Sequence, residues 1–160
     1  MTFIESETIE LKSSVVADLC KEVIAFANTR GGTLYIGVED NGTVIGVDSA
    51  DRVTLQINNM VRDSIKPDIT MFVHYETQVI NDKQIIAVTV QEGTDRPYYL
   101  GSKGLKPSGV YVRNGTSTDP ASDTAIRKMI KETDGDSFET MRSLEQNLSC
   151  LLYTSDAADE

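Results

Sequence analysis

Ala25-Phe26-Ala27-Asn28-Thr29-Arg30-Gly31-Gly32-Thr33-Leu34-Tyr35-Ile36-Gly37-Val38 joins two kinds of periodicity within fourteen residues. Upstream of it Val16, Leu19, Cys20, Val23, Ile24 and Ala27 recur at helical spacing, so a helix is expected to end near Asn28. Asn28 can hydrogen-bond the turn, and Gly31-Gly32 permits positive φ and a close backbone approach. Thr33 to Val38 then reads as a buried strand.

Working outward, Thr8-Ile9-Glu10-Leu11 alternates like a short strand, and Ser13-Ser14 offers hydroxyl caps to the helix. Asp40-Asn41-Gly42 is a tight-turn signal leading into Thr43-Val44-Ile45-Gly46-Val47, which predicts a hairpin over 33–47. A second amphipathic helix, with Val53, Ile57, Met60, Val61 and Ile65 inward, should stop before Pro67. Two long β-rich runs, 69–80 and 84–91, are joined by Asn81-Asp82-Lys83 as another hairpin. Val110-Tyr111-Val112 is a further short strand, and 123–131 a last helix with Ile126 and Ile130 on one face. Hairpins mixed with crossovers predict an α+β domain whose mostly antiparallel β-sheet carries packed helices.

The composition suits one soluble globular domain: 160 residues, 39% hydrophobic and 25% charged. No apolar run approaches the roughly 20 residues of a membrane span, so no membrane association is expected, and the cytoplasm is the expected location. Cys20, Cys150 and a lone His74 cannot supply a Cys/His zinc site or a disulfide framework. They exclude a Ser-His-Asp or Cys-His mechanism unless His74 is its base; within Met71-Phe72-Val73-His74-Tyr75 it reads as a strand residue.

The net charge of −10 repels phosphate on average. Locally the sign reverses: Arg96, Lys103, Lys106 and Arg113 stand among glycines with no acid between 96 and 115. The plain interpretation is a solvated hairpin; the functional one is a phosphate contact.

After residue 132 the composition shifts. The expected organisation is a domain over 1–132, then a linker and the start of a further region over 133–149, with Phe138, Met141, Leu144 and Leu148 at helical spacing. Residues 150–160 resemble an in-frame translation of a sequencing adapter and are expected to be foreign to the natural chain.

Three segments, Glu5 to Lys12, Ala25 to Gly32 and Leu34 to Gly42, together with Val110-Tyr111-Val112-Arg113-Asn114-Gly115-Thr116-Ser117-Thr118, resemble the Schlafen AlbA-like domain family in order and spacing over 5–132. The resemblance implies an AlbA-like, Schlafen-core lobe and a nucleic-acid-associated module, often ahead of a winged helix in bacterial regulators. It also implies, for the vertebrate branch, a metal-dependent endoribonuclease, whose three acids match Glu5, Glu10 and Asp40 and whose neighbouring lysine matches Lys12. If the chain is a nuclease, these four are the catalytic candidates, with Mg²⁺ or Mn²⁺ as cofactor on the three carboxylates. Otherwise no cofactor is expected. ATP binding, sometimes ascribed to such proteins, lacks a phosphate loop here.

The leading expectation is a nucleic-acid-binding module, for DNA or RNA, of a bacterial-type transcriptional regulator. Its candidate contacts are Asn28 and Arg30 (with Thr29) at the helix–strand junction, and Lys103, Lys106 and Arg113, with Tyr98 or Tyr99 available for stacking. A protein-interaction or homodimerisation platform is the other alternative.

Overall fold

The computed structural model describes residues 3–133. The apolar spacing at 138–148 and the tail at 150–160 lie outside the described residues. Four strands form the main sheet: β1 (Ile9–Lys12), β2 (Gly32–Ile36), β4 (Val73–Ile80) and β5 (Lys83–Val90), in the order β1-β2-β5-β4. β1 runs parallel to β2, and the other two pairings are antiparallel. Helices α1 (Leu19–Asn28) and α2 (Ala50–Ser64) pack on one face. Two small antiparallel pairs complete the fold: β3 (Ile65–Lys66) with β6 (Tyr99–Leu100), and β7 (Tyr111–Asn114) with β8 (Ser117–Pro120). A final helix, α3, occupies 123–133. The α+β architecture is the one expected from the sequence.

Period-two alternation sorts the sheet residues between two cores. Leu34, Ile36, Ile86, Val88 and Val90 meet α1 and α2, while Leu11 and Ile85 meet Phe3 on the reverse face, joined there by Val38 beyond the break in alternation at Gly37. There Phe3 and Tyr35 pack edge to face with ring centres 4.8 Å apart. A third cluster joins α3, through Ile126 and Met129, to Val110 and Ala121. Among the described residues no helix is long and apolar enough to cross a membrane.

Three local expectations change. The first helix begins at Leu19 behind Asp18, without a side-chain cap from Ser13 or Ser14, and Val16 is exposed. It is also buried nearly all round, because β7 packs along it in addition to the sheet. The 33–47 hairpin keeps its turn, with Glu39 N–H donating to Thr43 O and Gly42 N–H to Glu39 O, but its second arm is a single bridge, Val38 to Val44. Gly37 and Gly46 both have positive φ and end the ladder there, and Val47 N–H donates instead to Gln84 O. By contrast α2 follows its pattern, capped by Ser49 Oγ accepting from Arg52 N–H and ending ahead of Lys66-Pro67.

Candidate functional site

Glu10 and Lys12 are two apart on β1 and therefore project to one face, where α1 presents Glu22. β7 sends Arg113 into the same space. Its Nη1 lies 2.8 Å from Glu10 Oε1 and 3.4 Å from Glu22 Oε1, and donates to Thr118 Oγ1 at 3.0 Å. Its Nη2 donates to Ser6 O at 2.8 Å and Ile9 O at 3.1 Å. The Phe26 ring lies beneath the guanidinium, 5.1 Å from ring centre to Cζ. Lys12 Nζ completes the set, 3.2 Å from Glu22 and 3.7 Å from Glu10, and Thr118 hydroxyl also bonds Glu22. Arg113 side chain is only 1% exposed, so it cannot reach a phosphate in solution. Its expected nucleic-acid contact is replaced by an internal one: an arginine fork spanning two carboxylates, a hydroxyl and two carbonyls.

Burial, reinforced by Glu22 alongside, pushes the Glu10 carboxyl up to about 7, against the lowering effect of the Arg113 hydrogen bond. For Lys12 burial works against the charge, but Glu22 and then Glu10 outweigh it and hold the ammonium above its ordinary value.

The metal set expected from the resemblance is not assembled by this geometry. Glu5 lies outside β1, ahead of the turn at Glu7-Thr8, and its Oε2 accepts from Leu11 N–H at 3.3 Å. Asp40, however, is exposed in the 39–43 turn, beside an open cleft with Ser13, Glu39 and Asn41. The third carboxylate near Glu5 and Glu10 is Glu22, and Arg113 and Lys12 already neutralise the pair Glu10 and Glu22. Among the described residues no three carboxylate, imidazole or thiol groups are placed to share an ion. The residues present do not fit Mg²⁺ or Mn²⁺.

Asn28 is buried, contrary to the expected exposed junction. Its Nδ2 donates to Tyr98 O at 3.0 Å and Tyr111 O at 2.9 Å, and its Oδ1 accepts from Tyr98 N–H at 2.8 Å. One amide thus ties the end of α1 to two later segments, with no capacity left for a phosphate. Tyr98 is wholly buried and unavailable for stacking, whereas Tyr99 is half-buried. Gly31 has φ +78°, and a Cβ on Gly32 would come 2.5 Å from the Phe26 ring, so both glycines are required by the junction itself. Arg30 alone points to solvent there, paired with Glu7 at 3.1 Å.

Lys103 and Lys106 are exposed in the 101–110 loop and form no ion pair among the described residues. Lys66 stands beside this loop, since β3 pairs with β6 and Gly101 N–H donates to Ser64 O. α3 adds exposed Arg127, Lys128 and Lys131 to the same C-terminal layer. From 96 to 131 the sequence has seven bases against Asp119 and Asp123, although the whole chain is acidic. The α3 cations escaped a reading confined to 96–115; extending that charge count to the last helix finds them.

A sequence model of the family described as Schlafen, AlbA_2 matches residues 5–122. A comparison with curated proteins finds no match. Among solved structures, the N-terminal domain of a protein related to the ATP-dependent DNA helicase RecG, from Nitrosomonas europaea, is 30% identical, with a TM-score of 0.55 over 71% of this chain and 82% of that one. The DIP2311 protein of Corynebacterium diphtheriae shares the fold at 20% identity and a TM-score of 0.53, over 72% of this chain. The match spans only 25% of the length of that protein.

Proposed function

Given that the chain belongs to the Schlafen AlbA_2 family, we propose that it is a nucleic-acid-binding module of a bacterial-type transcriptional regulator, acting in the cytoplasm. The observation that carries this reading is the exposed cationic layer of the 101–110 loop and α3, set apart from the acidic remainder of the chain. Lysines without carboxylate partners release no internal ion pair on meeting a phosphate, so their full charge is available to the ligand. Such an arrangement positions a backbone, which favours recognition by charge and shape. Similarity to a domain of a helicase-related protein supports a nucleic-acid setting.

The test is fluorescence anisotropy with short duplex DNA and with single-stranded and hairpin RNA, titrated at several salt concentrations. Lys103→Ala with Lys106→Ala should weaken binding and reduce the slope of log K against log salt by about 2. No binding to any of the ligands at low salt, or an unchanged slope in the double variant, defeats the proposal.

A further inference from the structure

The two edges of the main sheet differ. On β1 the outward carbonyl of Ile9, together with that of Ser6, is taken by Arg113, so a side chain fills that edge. β4 at the other edge is eight residues long, paired to β5 without interruption, and contains no proline, lysine or bulge. Edges of that length are usually blunted by such features.

The backbone groups on the open side can be assigned. Phe72 O accepts from Gln91 N–H, and Ile80 and Lys83 flank a two-residue turn, so even-numbered residues direct their polar groups at β5. Tyr75, Thr77 and Val79 therefore turn N–H and C=O to the free edge, and Val73 its C=O. The same edge gathers exposed apolar side chains: Met71 is 74% exposed, Val79 65% and Leu55, on the adjoining face of α2, 59%. A cleft bounded by Leu55, Tyr75 and Thr77 lies between that helix and the strand.

We propose that β4 is the pairing edge for a second copy of this chain, the two β4 strands running antiparallel about a two-fold axis at Tyr75. The register follows from charge and hydrogen-bond parity. With the axis at Tyr75, the outward groups of Tyr75 meet their equivalents, Thr77 meets the partner's Val73, and His74 lies opposite the partner's Glu76 on both sides of the axis. Met71 is brought to the partner's Val79, so the exposed apolar residues cover one another. Moving the axis to Glu76 sets two carboxylates face to face. Moving it to His74 opposes two imidazoles and leaves Glu76 without a counterpart. An isologous contact of this kind closes on itself and joins the two sheets into one. The edge lies across the sheet from β1 and the Arg113 cluster.

Sedimentation velocity of the full chain over a hundredfold concentration range tests it. A reversible monomer–dimer equilibrium is expected, and both Thr77→Pro and Val79→Lys should raise the dissociation constant at least about tenfold. Circular dichroism establishes that each variant remains folded; if the proline variant does not, Val79→Lys decides alone. The paired change His74→Cys with Glu76→Cys should yield a covalent dimer on mild oxidation, since those positions face each other across the axis. A strictly monomeric chain, a dimer unaffected by Val79→Lys, or failure of the cysteine pair to cross-link overturns the proposal.

Discussion

Arg113 on β7 and Glu10 on β1 stand 2.8 Å apart, more than a hundred residues distant in sequence and both nearly excluded from water. Arg113 holds the first strand to one of the last, with Glu22 of α1 between them. Buried ion pairs gain little over apolar packing of similar shape, but losing one member is severe, because the remaining charge has neither water nor a partner.

Arg113→Ala should therefore lower stability by about 3–5 kcal/mol in urea unfolding. Arg113→Lys should recover only part of that, since an ammonium cannot span two carboxylates, a hydroxyl and two carbonyls at once. Full recovery with lysine would show that charge alone matters there.

The raised carboxyl of Glu10 sets a direction for pH. Its folded value of about 7 lies above the ordinary carboxylate range, so the folded state holds an extra proton between the two. This group's contribution is fully present below the ordinary value, is lost as pH rises towards 7, and changes little beyond. Glu10→Gln mimics the protonated form, so urea midpoints across pH 5–8 should fall less steeply in the variant. Parallel curves would assign the pH dependence to other groups.

Asn28→Ala leaves Tyr98 N–H and two carbonyls without their partner, at about 1–3 kcal/mol for each orphaned group. The midpoint of thermal unfolding should drop sharply. In the fraction that remains folded, the salt slope of nucleic-acid binding should match wild type, which a direct phosphate contact would not allow.

Tyr75 hydroxyl is buried without a hydrogen-bond partner among the described residues, and burial pushes its pKa up to about 12. Tyr75→Phe removes the orphaned group and keeps the ring, so stability should hold or rise by about 1 kcal/mol. A clear loss in urea unfolding would reveal a partner for the hydroxyl in solution.

Elements with strong periodicity are legible in the sequence: α2, the last helix and the hairpin of the 69–80 and 84–91 runs with its Asn81-Asp82 turn, except that a 3-10 turn at Thr70–Phe72 takes the start of the first run and its strand begins at Val73. The second arm of the 33–47 hairpin was not, because Val44 and Ile45 have strand composition while Gly37 and Gly46 deny them a ladder. Site residues divide along the same line. Lys103 and Lys106 are exposed as local charge and glycine content suggest. Arg113 and Asn28 have polar side chains whose partners come from remote segments, and no local pattern distinguishes a buried clamp from a surface contact. One signal was available: Glu10 and Lys12 share a strand face and Glu22 lies in the first turn of α1 among apolar residues, so a buried acid there required a cation from elsewhere.

The distance in sequence between Arg113 and its partners also bears on how the chain is made. Residues 6–12 and 22 leave the ribosome long before 113–118, and in that interval Glu10 and Glu22 have Lys12 at one side but no arginine between them. Closing α1 against β1 early would crowd two carboxylates in an apolar space, which favours waiting in an open state. A nascent chain halted before residue 113 should thus stay loosely structured and protease-sensitive, and compaction should arrive late, when the final hairpin delivers its guanidinium.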